Sequence, residues 1–250
     1  MIVNSTELQN NFGKYLVLAN QEEVIVTRNG NPIAKLVPVT YGKMLSERWP
    51  SSEIIMESTA KYNDSLGKST YEEFLELTKD NELRYEYIDG QIYMLASPKT
   101  EHQSALTELF GNFYNFFQGK PCRPFVAPYD IVLRTSSNQI NSVQPDLAVI
   151  CDLEQHLGED GFYKGVPALV IEILSESTRR KDLVSKLNLY MEAGVKEYWI
   201  VNPLNKEITV YLFEDLNIKD STTYKNGESA LSFSFLGLSV PLNVVFARPY

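Results

Sequence analysis

Residues 168–174 read ALVIEIL, six apolar residues around a single acid, Glu172. A short run of this kind is the pattern of a strand buried on both faces. An isolated ionised carboxylate in an apolar interior is so costly that it is normally neutralised, paired or bound to a metal. Glu172 therefore needs a partner, and the rest of the chain has to supply it.

Four carboxylates stand in strand-like or apolar contexts: Glu86, Asp130, Asp146 and Glu172. Side chains alternate along a strand, so Asp146 in PDLAVI shares a face with Ala148 and Ile150, and Glu172 shares one with Val170 and Leu174. If the two strands are neighbours, the acids converge. Converging negative charges repel, and either a hard cation such as Mg²⁺ or a lysine relieves them. The lysine candidate lies on the next helical segment, TRRKDLVSKLNLYMEAG, which ends at Gly194. At 100° per residue, Leu183, Leu187 and Tyr190 form its buried stripe, and Lys186 falls at the flank beside Asp182 and Arg179. Spacing alone leaves two fates for Lys186: reaching a neighbouring strand end, or making a surface i,i+4 pair with Asp182.

The surrounding order is regular. YEEFLELTK reads as a short amphipathic helix, and RYEYIDGQIYML as a hairpin turning at Asp89-Gly90. HQSALTELFGNFYNFF carries a broad apolar stripe that is core. FVAPYDIVL, PDLAVI, ALVIEIL, VKEYWIVN and EITVYLF supply strands. His102, just before a helix body, is either a phosphate contact or base, or a hydrogen-bonded structural residue. Arg179, Arg180 and Lys181 form the dense basic run, suited to a DNA backbone or to a solvated helix end.

This pattern resembles the PD-(D/E)xK nuclease superfamily and, more closely, the Uma-type restriction-endonuclease family, over about residues 70–215. The carriers are YEYIDGQIYMLASPKTEHQ, PYDIVL, VQPDLAVI, VIEILSEST and RRKDLVSKLNLYMEAGVKEYWIVNP in this order. The resemblance implies an α+β fold with a restriction-endonuclease-like αβββαβ core, a mixed sheet flanked by helices. It implies a site in which Asp146 and Glu172 hold Mg²⁺ or Mn²⁺, with Glu86 and Asp130 either completing the metal site or serving as structural acids. The superfamily's lysine would fall at position 174, where this chain has Leu174; in the Uma-type pattern it stands on the following helix, at Lys186.

The first forty residues form a separate pattern. Asn4 and Glu7 have capping-box spacing, and Leu8, Phe12, Tyr15, Leu16 and Ala19 recur on one helical face. EEVIVT and PIAKLVPV then flank Arg28-Asn29-Gly30-Asn31, a hairpin signal. One helix and one hairpin bury too little to be stable alone, so a homodimer or higher homo-oligomer is expected. VNSTELQNNFGKYL followed by VIVTRNGNPIAKLVPV resembles the DNA-binding half of Phd/YefM-type antitoxins. That resemblance implies dimerisation and operator DNA contact, with Arg28 and Asn29 at the turn facing either DNA or solvent. The expected organisation is 1–41 as the antitoxin-like module, 42–70 as a linker, and 71–250 as the nuclease-like domain. Within the linker, Ile54, Ile55 and Met56 suggest a short helix packed in cis.

Composition limits the partners. With 44% hydrophobic and 22% charged residues the chain is that of a folded protein. No apolar run approaches the ~20 residues that span a bilayer, and the N-terminus lacks signal-peptide blocks, so a cytoplasmic protein without a membrane partner is expected. Cys122 and Cys151 form no CxxC pair and suggest neither a disulfide scaffold nor a cysteine zinc site. The net charge of −9 opposes nucleic-acid binding at first sight. It resides beyond residue 70, where 16 basic residues face 25 acidic ones, and clustered carboxylates can chelate a cation as well as repel DNA. The functional expectation is a metal-dependent endonuclease acting on DNA; the alternative is a non-catalytic DNA-binding regulator or antitoxin-like partner that retains a nuclease fold.

Overall fold

The computed structural model describes residues 1–10, 12–19, 22–28, 30–36, 68–79, 81–159, 161–175 and 181–247. The chain divides into two units, Met1–Ser69 and Thr70–Tyr250. Most of the expected linker, with Ile54, Ile55 and Met56, lies outside the described residues.

In the first unit a strand β1 (Ile2–Asn4) precedes helices α1 (Ser5–Asn10) and α2 (Phe12–Ala19) and strands β2 (Val24–Arg28) and β3 (Asn31–Leu36). Asn4 Oδ1 accepts the Glu7 N–H at 2.7 Å, the cap expected at that helix start. β1 pairs parallel to β2, a strand too short for its periodicity to be read from sequence. β2 and β3 form the expected hairpin around Gly30, which takes φ +79°. Val3, Tyr15, Ala19, Val24 and Val26 form the buried cluster.

The second unit opens with α3 (Tyr71–Thr78), hairpin strands β4 (Tyr85–Ile88) and β5 (Gln91–Met94), and α4 (Thr100–Phe117). Next come β6 (Arg123–Val126), β7 (Ile131–Arg134), β8 (Ile140–Val143), β9 (Leu147–Ile150), α5 (Leu153–His156) and β10 (Leu169–Ile173). A π-helical segment, Lys181–Lys186, leads into α6 (Leu187–Glu192). The chain ends with β11 (Glu197–Asn202), β12 (Glu207–Glu214), β13 (Asn217–Lys225), β14 (Ser229–Leu231), β15 (Ser239–Pro241) and α7 (Leu242–Val245).

Six strands form the main sheet in the order β13-β12-β11-β10-β9-β6, with β10 and β11 parallel and the other neighbours antiparallel. The succession α4–β6–β9–β10–α6–β11 is the αβββαβ order expected from sequence. FVAPYDIVL is not one strand. It breaks around Pro128, since proline cannot donate to a ladder; β6 stays in the main sheet, and β7 pairs with β8 in a second sheet ordered β5-β4-β8-β7. Leu106, Leu109, Phe113 and Phe117 of α4 pack on Leu147, Val149, Leu169, Ile171, Ile173 and Trp199, which makes the apolar stripe core as expected. Cys122 and Cys151 are joined by a single disulfide. They stand one step beyond the Arg123↔Ile150 pair of β6 and β9, a juxtaposition created by strand pairing that CxxC spacing does not reveal.

Candidate active site

The register of β9 against β10 decides the site. Leu169↔Val149, Val170↔Ala148 and Ile171↔Leu147 are partners, so one further step sets Glu172 opposite Asp146. Directly opposed residues on an antiparallel pair point to the same side, with Cβ atoms about 5 Å apart. Asp146 Oδ2 also accepts the Ile173 N–H at 2.7 Å, which ties the acid to the end of β10. The odd-numbered residues of β10 fill the core under α4, so Glu172 turns to the opposite face.

On that face two side chains of the helical segment after β10 meet Glu172. Lys186 Nζ lies 2.7 Å from Glu172 Oε1, and the Tyr190 hydroxyl donates to the same oxygen at 2.6 Å. Lys186 Nζ lies also 2.7 Å from Glu86 Oε1, contributed by β4 of the second sheet. All three charged groups are buried: Lys186 is 2% exposed, Glu86 0% and Glu172 3%. Lys186 lies inside and is not the surface lysine that spacing alone left open; the Asp182 side chain is not among those described. Lys186 closes a π-helical segment, so a wheel drawn at 100° per residue misplaces its neighbourhood.

Three acids and one lysine thus share one environment. Gln144 supports it: its backbone N–H donates to Glu86 Oε1 at 3.1 Å, and its side-chain amide donates to Asp130 Oδ1 at 2.9 Å. His102, in the first turn of α4, brings Nε2 within 3.2 Å of Asp146 Oδ2. Among the described residues, His102 Nδ1 and Gln144 Oε1 are buried without a hydrogen-bond partner. Glu86, His102, Gln144, Asp146, Glu172 and Lys186 all line one cleft of about 410 Å³.

Not every residue singled out in the sequence arrives there. Asp130 is absent from the cleft lining and is linked to it through Gln144. Arg28 is exposed at the end of β2, while Asn29, Arg179 and Arg180 lie outside the described residues. Lys181 begins the π-helical segment, and its side chain is not among those described. Two residues of the site escaped the sequence reading. Tyr190 was assigned to core, although its i,i+4 spacing from Lys186 places both on one helix face. Gln144 gave no signal beyond its position before Pro145-Asp146.

Residues 71–244 match the model of the Uma2 family, described as "Putative restriction endonuclease". The chain belongs to this family. Residues 1–62 match the model of the Phd/YefM antitoxin of type II toxin-antitoxin systems. An uncharacterized Synechocystis sp. protein is 27% identical to the Uma2 chain over 180 residues, covering 72% of this chain and 92% of the relative. A crystal structure titled "putative nuclease belonging to DUF820", from Anabaena variabilis, superposes with a TM-score of 0.56 at 20% identity. It covers 70% of this chain and 96% of its own, a likeness of fold.

Proposed function

We propose that this Uma2 protein is a metal-dependent endonuclease that hydrolyses phosphodiester bonds in DNA, carried on an antitoxin-like DNA-binding module. The observation that carries the reading is the opposition of Asp146 and Glu172 across β9 and β10, with Lys186 held against Glu172. The chemistry of the donor set supports a hard divalent cation. Glu86, Asp146 and Glu172 offer carboxylate oxygens, and among the described residues the buried Gln144 Oε1 beside them has no hydrogen-bond partner. Asp146 and Glu172 would hold Mg²⁺ or Mn²⁺, with Glu86 completing the set. Bound there, the cation supplies Lewis acidity and neutralises charge on the phosphate.

The chain's own residues do the rest. Lys186, fixed between two carboxylates, presents Nζ to orient the attacking water or assist its deprotonation. His102, held by Asp146, contacts phosphate or moves a proton at its ring. Asp130 supports the site by holding the Gln144 amide. Arg28 and Asn29 of the N-terminal module, and Arg179, Arg180 and Lys181 after β10, engage DNA. Residues 1–41 act as a dimerising unit, 42–70 as a linker and 71–250 as the nuclease domain.

The test is cleavage of supercoiled and linear DNA by the purified chain with Mg²⁺ or Mn²⁺, beside Asp146→Ala. The wild type cuts and the variant does not, while circular dichroism of the two is the same. A wild type that cuts no DNA form, with Mn²⁺ affinity unchanged by Asp146→Ala, hands the assignment to the non-catalytic regulator.

A further inference from the structure

We infer that Gln144 is a metal ligand of this cleft, offering its side-chain carbonyl oxygen to the divalent cation, and that Asp130 is the residue that aims it. The inference rests on the proposed metal-dependent reading and names a ligand beyond the acids.

The amide orientation is set by chemistry. An ionised carboxylate only accepts hydrogen bonds, so the Gln144 amide must turn its NH₂ toward Asp130 Oδ1, which it meets at 2.9 Å. The carbonyl oxygen then points away from Asp130. That oxygen is buried and has no partner among the described residues, although Gln144 lines the cleft together with Glu86, Asp146 and Glu172. A buried acceptor left without a donor costs about 1–3 kcal/mol, and native proteins rarely retain one. A guest that accepts electron density resolves it. Amide carbonyls are ordinary ligands of hard divalent cations, and a neutral oxygen adds coordination without adding repulsion to three carboxylates. The backbone of the same residue is anchored as well, since its N–H donates to Glu86 Oε1 at 3.1 Å. Gln144 is therefore held at both ends, with only its carbonyl oxygen uncommitted.

Calorimetric titration of the full-length protein with Mn²⁺, without DNA, tests this. Gln144→Leu is expected to weaken Mn²⁺ binding about tenfold, the scale on which support around a metal matters. Asp130→Asn, which can itself donate and so releases the amide to turn, weakens it by a smaller factor. Asp146→Ala removes binding. Should Gln144→Leu fail to fold by circular dichroism, Gln144→Met, of similar length and without the oxygen, takes its place. A leucine or methionine variant that binds Mn²⁺ like the wild type, while Asp146→Ala does not bind, overturns the role of Gln144 and leaves the metal reading standing. A wild type that takes up no Mn²⁺ overturns both.

Discussion

A single ammonium decides whether the interior of the cleft is tolerable. Glu86 and Glu172 are buried and both lie against Lys186, so removing the ammonium leaves two buried carboxylates without its positive charge. Breaking a buried ion pair from one side costs about 3–5 kcal/mol. Lys186→Met is therefore expected to lower unfolding free energy by about that amount in urea titrations. Lys219→Met, which breaks a pair about half exposed, is expected to cost about 1 kcal/mol or less. Equal losses in the two variants would mean that Lys186 does not neutralise these acids. The acids themselves were legible, because alternation in PDLAVI and ALVIEIL placed each on a definite face and the convergence followed once the strands were neighbours. Lys186 was legible from the family pattern and not from the helical wheel. Tyr190 was read as core because a buried tyrosine at stripe spacing gives no sign that its hydroxyl meets an acid on the facing strand.

Elements determine where those side chains can stand. Glu86 belongs to a different sheet from Asp146 and Glu172, so the site depends on how the four-stranded sheet is held. β4 and β8 share one register pair, Tyr87↔Ser142, and beside it the Asn141 side chain accepts the Asp89 N–H at 2.8 Å and donates to Gln139 O at 3.3 Å. This buried amide staples the turn of the β4–β5 hairpin to β8. Asn141→Ala removes the acceptor of the Asp89 N–H, which lies at an exposed turn residue, and with it a part-buried hydrogen bond, at a cost of about 1 kcal/mol. On the proposed endonuclease reading it also slows DNA cleavage, because Glu86 sits three residues before the turn. Amide exchange checks the structural half: protection at Asp89 should fall while protection in β10 is kept, and unchanged protection at Asp89 would contradict the staple. The hairpin was readable from Asp89-Gly90, both of which take positive φ. β13 was not, because its connection to β12 turns through Asp215-Leu216, also at positive φ but without the glycine that marks such turns in a sequence. The π-helical segment was equally silent, since its extra residue per turn leaves the apolar pattern helical.

At the scale of the whole chain, each unit hides a tyrosine whose proton it holds more tightly than water does. Tyr15, in the first unit, is pushed up to about 12 by burial, then by its hydrogen bond to Glu7 and the charge of that acid. In the second unit burial pushes Tyr211 up to about 12, and burial together with the Asp152 hydrogen bond raises Tyr163 further. An unfolded tyrosine ionises near 10. Between pH 10 and about 12 the unfolded chain therefore gives up phenolic protons that the folded chain keeps, the folded state binds more protons, and stability falls as pH rises. Below pH 10 this contribution is fully present. Alkaline titration followed by phenolate absorbance and by circular dichroism should show ionisation of these tyrosines lagging the ordinary value near 10 and arriving together with loss of structure. Tyr15→Phe should extend the alkaline limit of the first unit, because Tyr15 belongs to that unit's buried cluster. All tyrosines ionising near pH 10 with the secondary structure intact would show that these hydroxyls are open to solvent, and the packing described for both units would then be wrong.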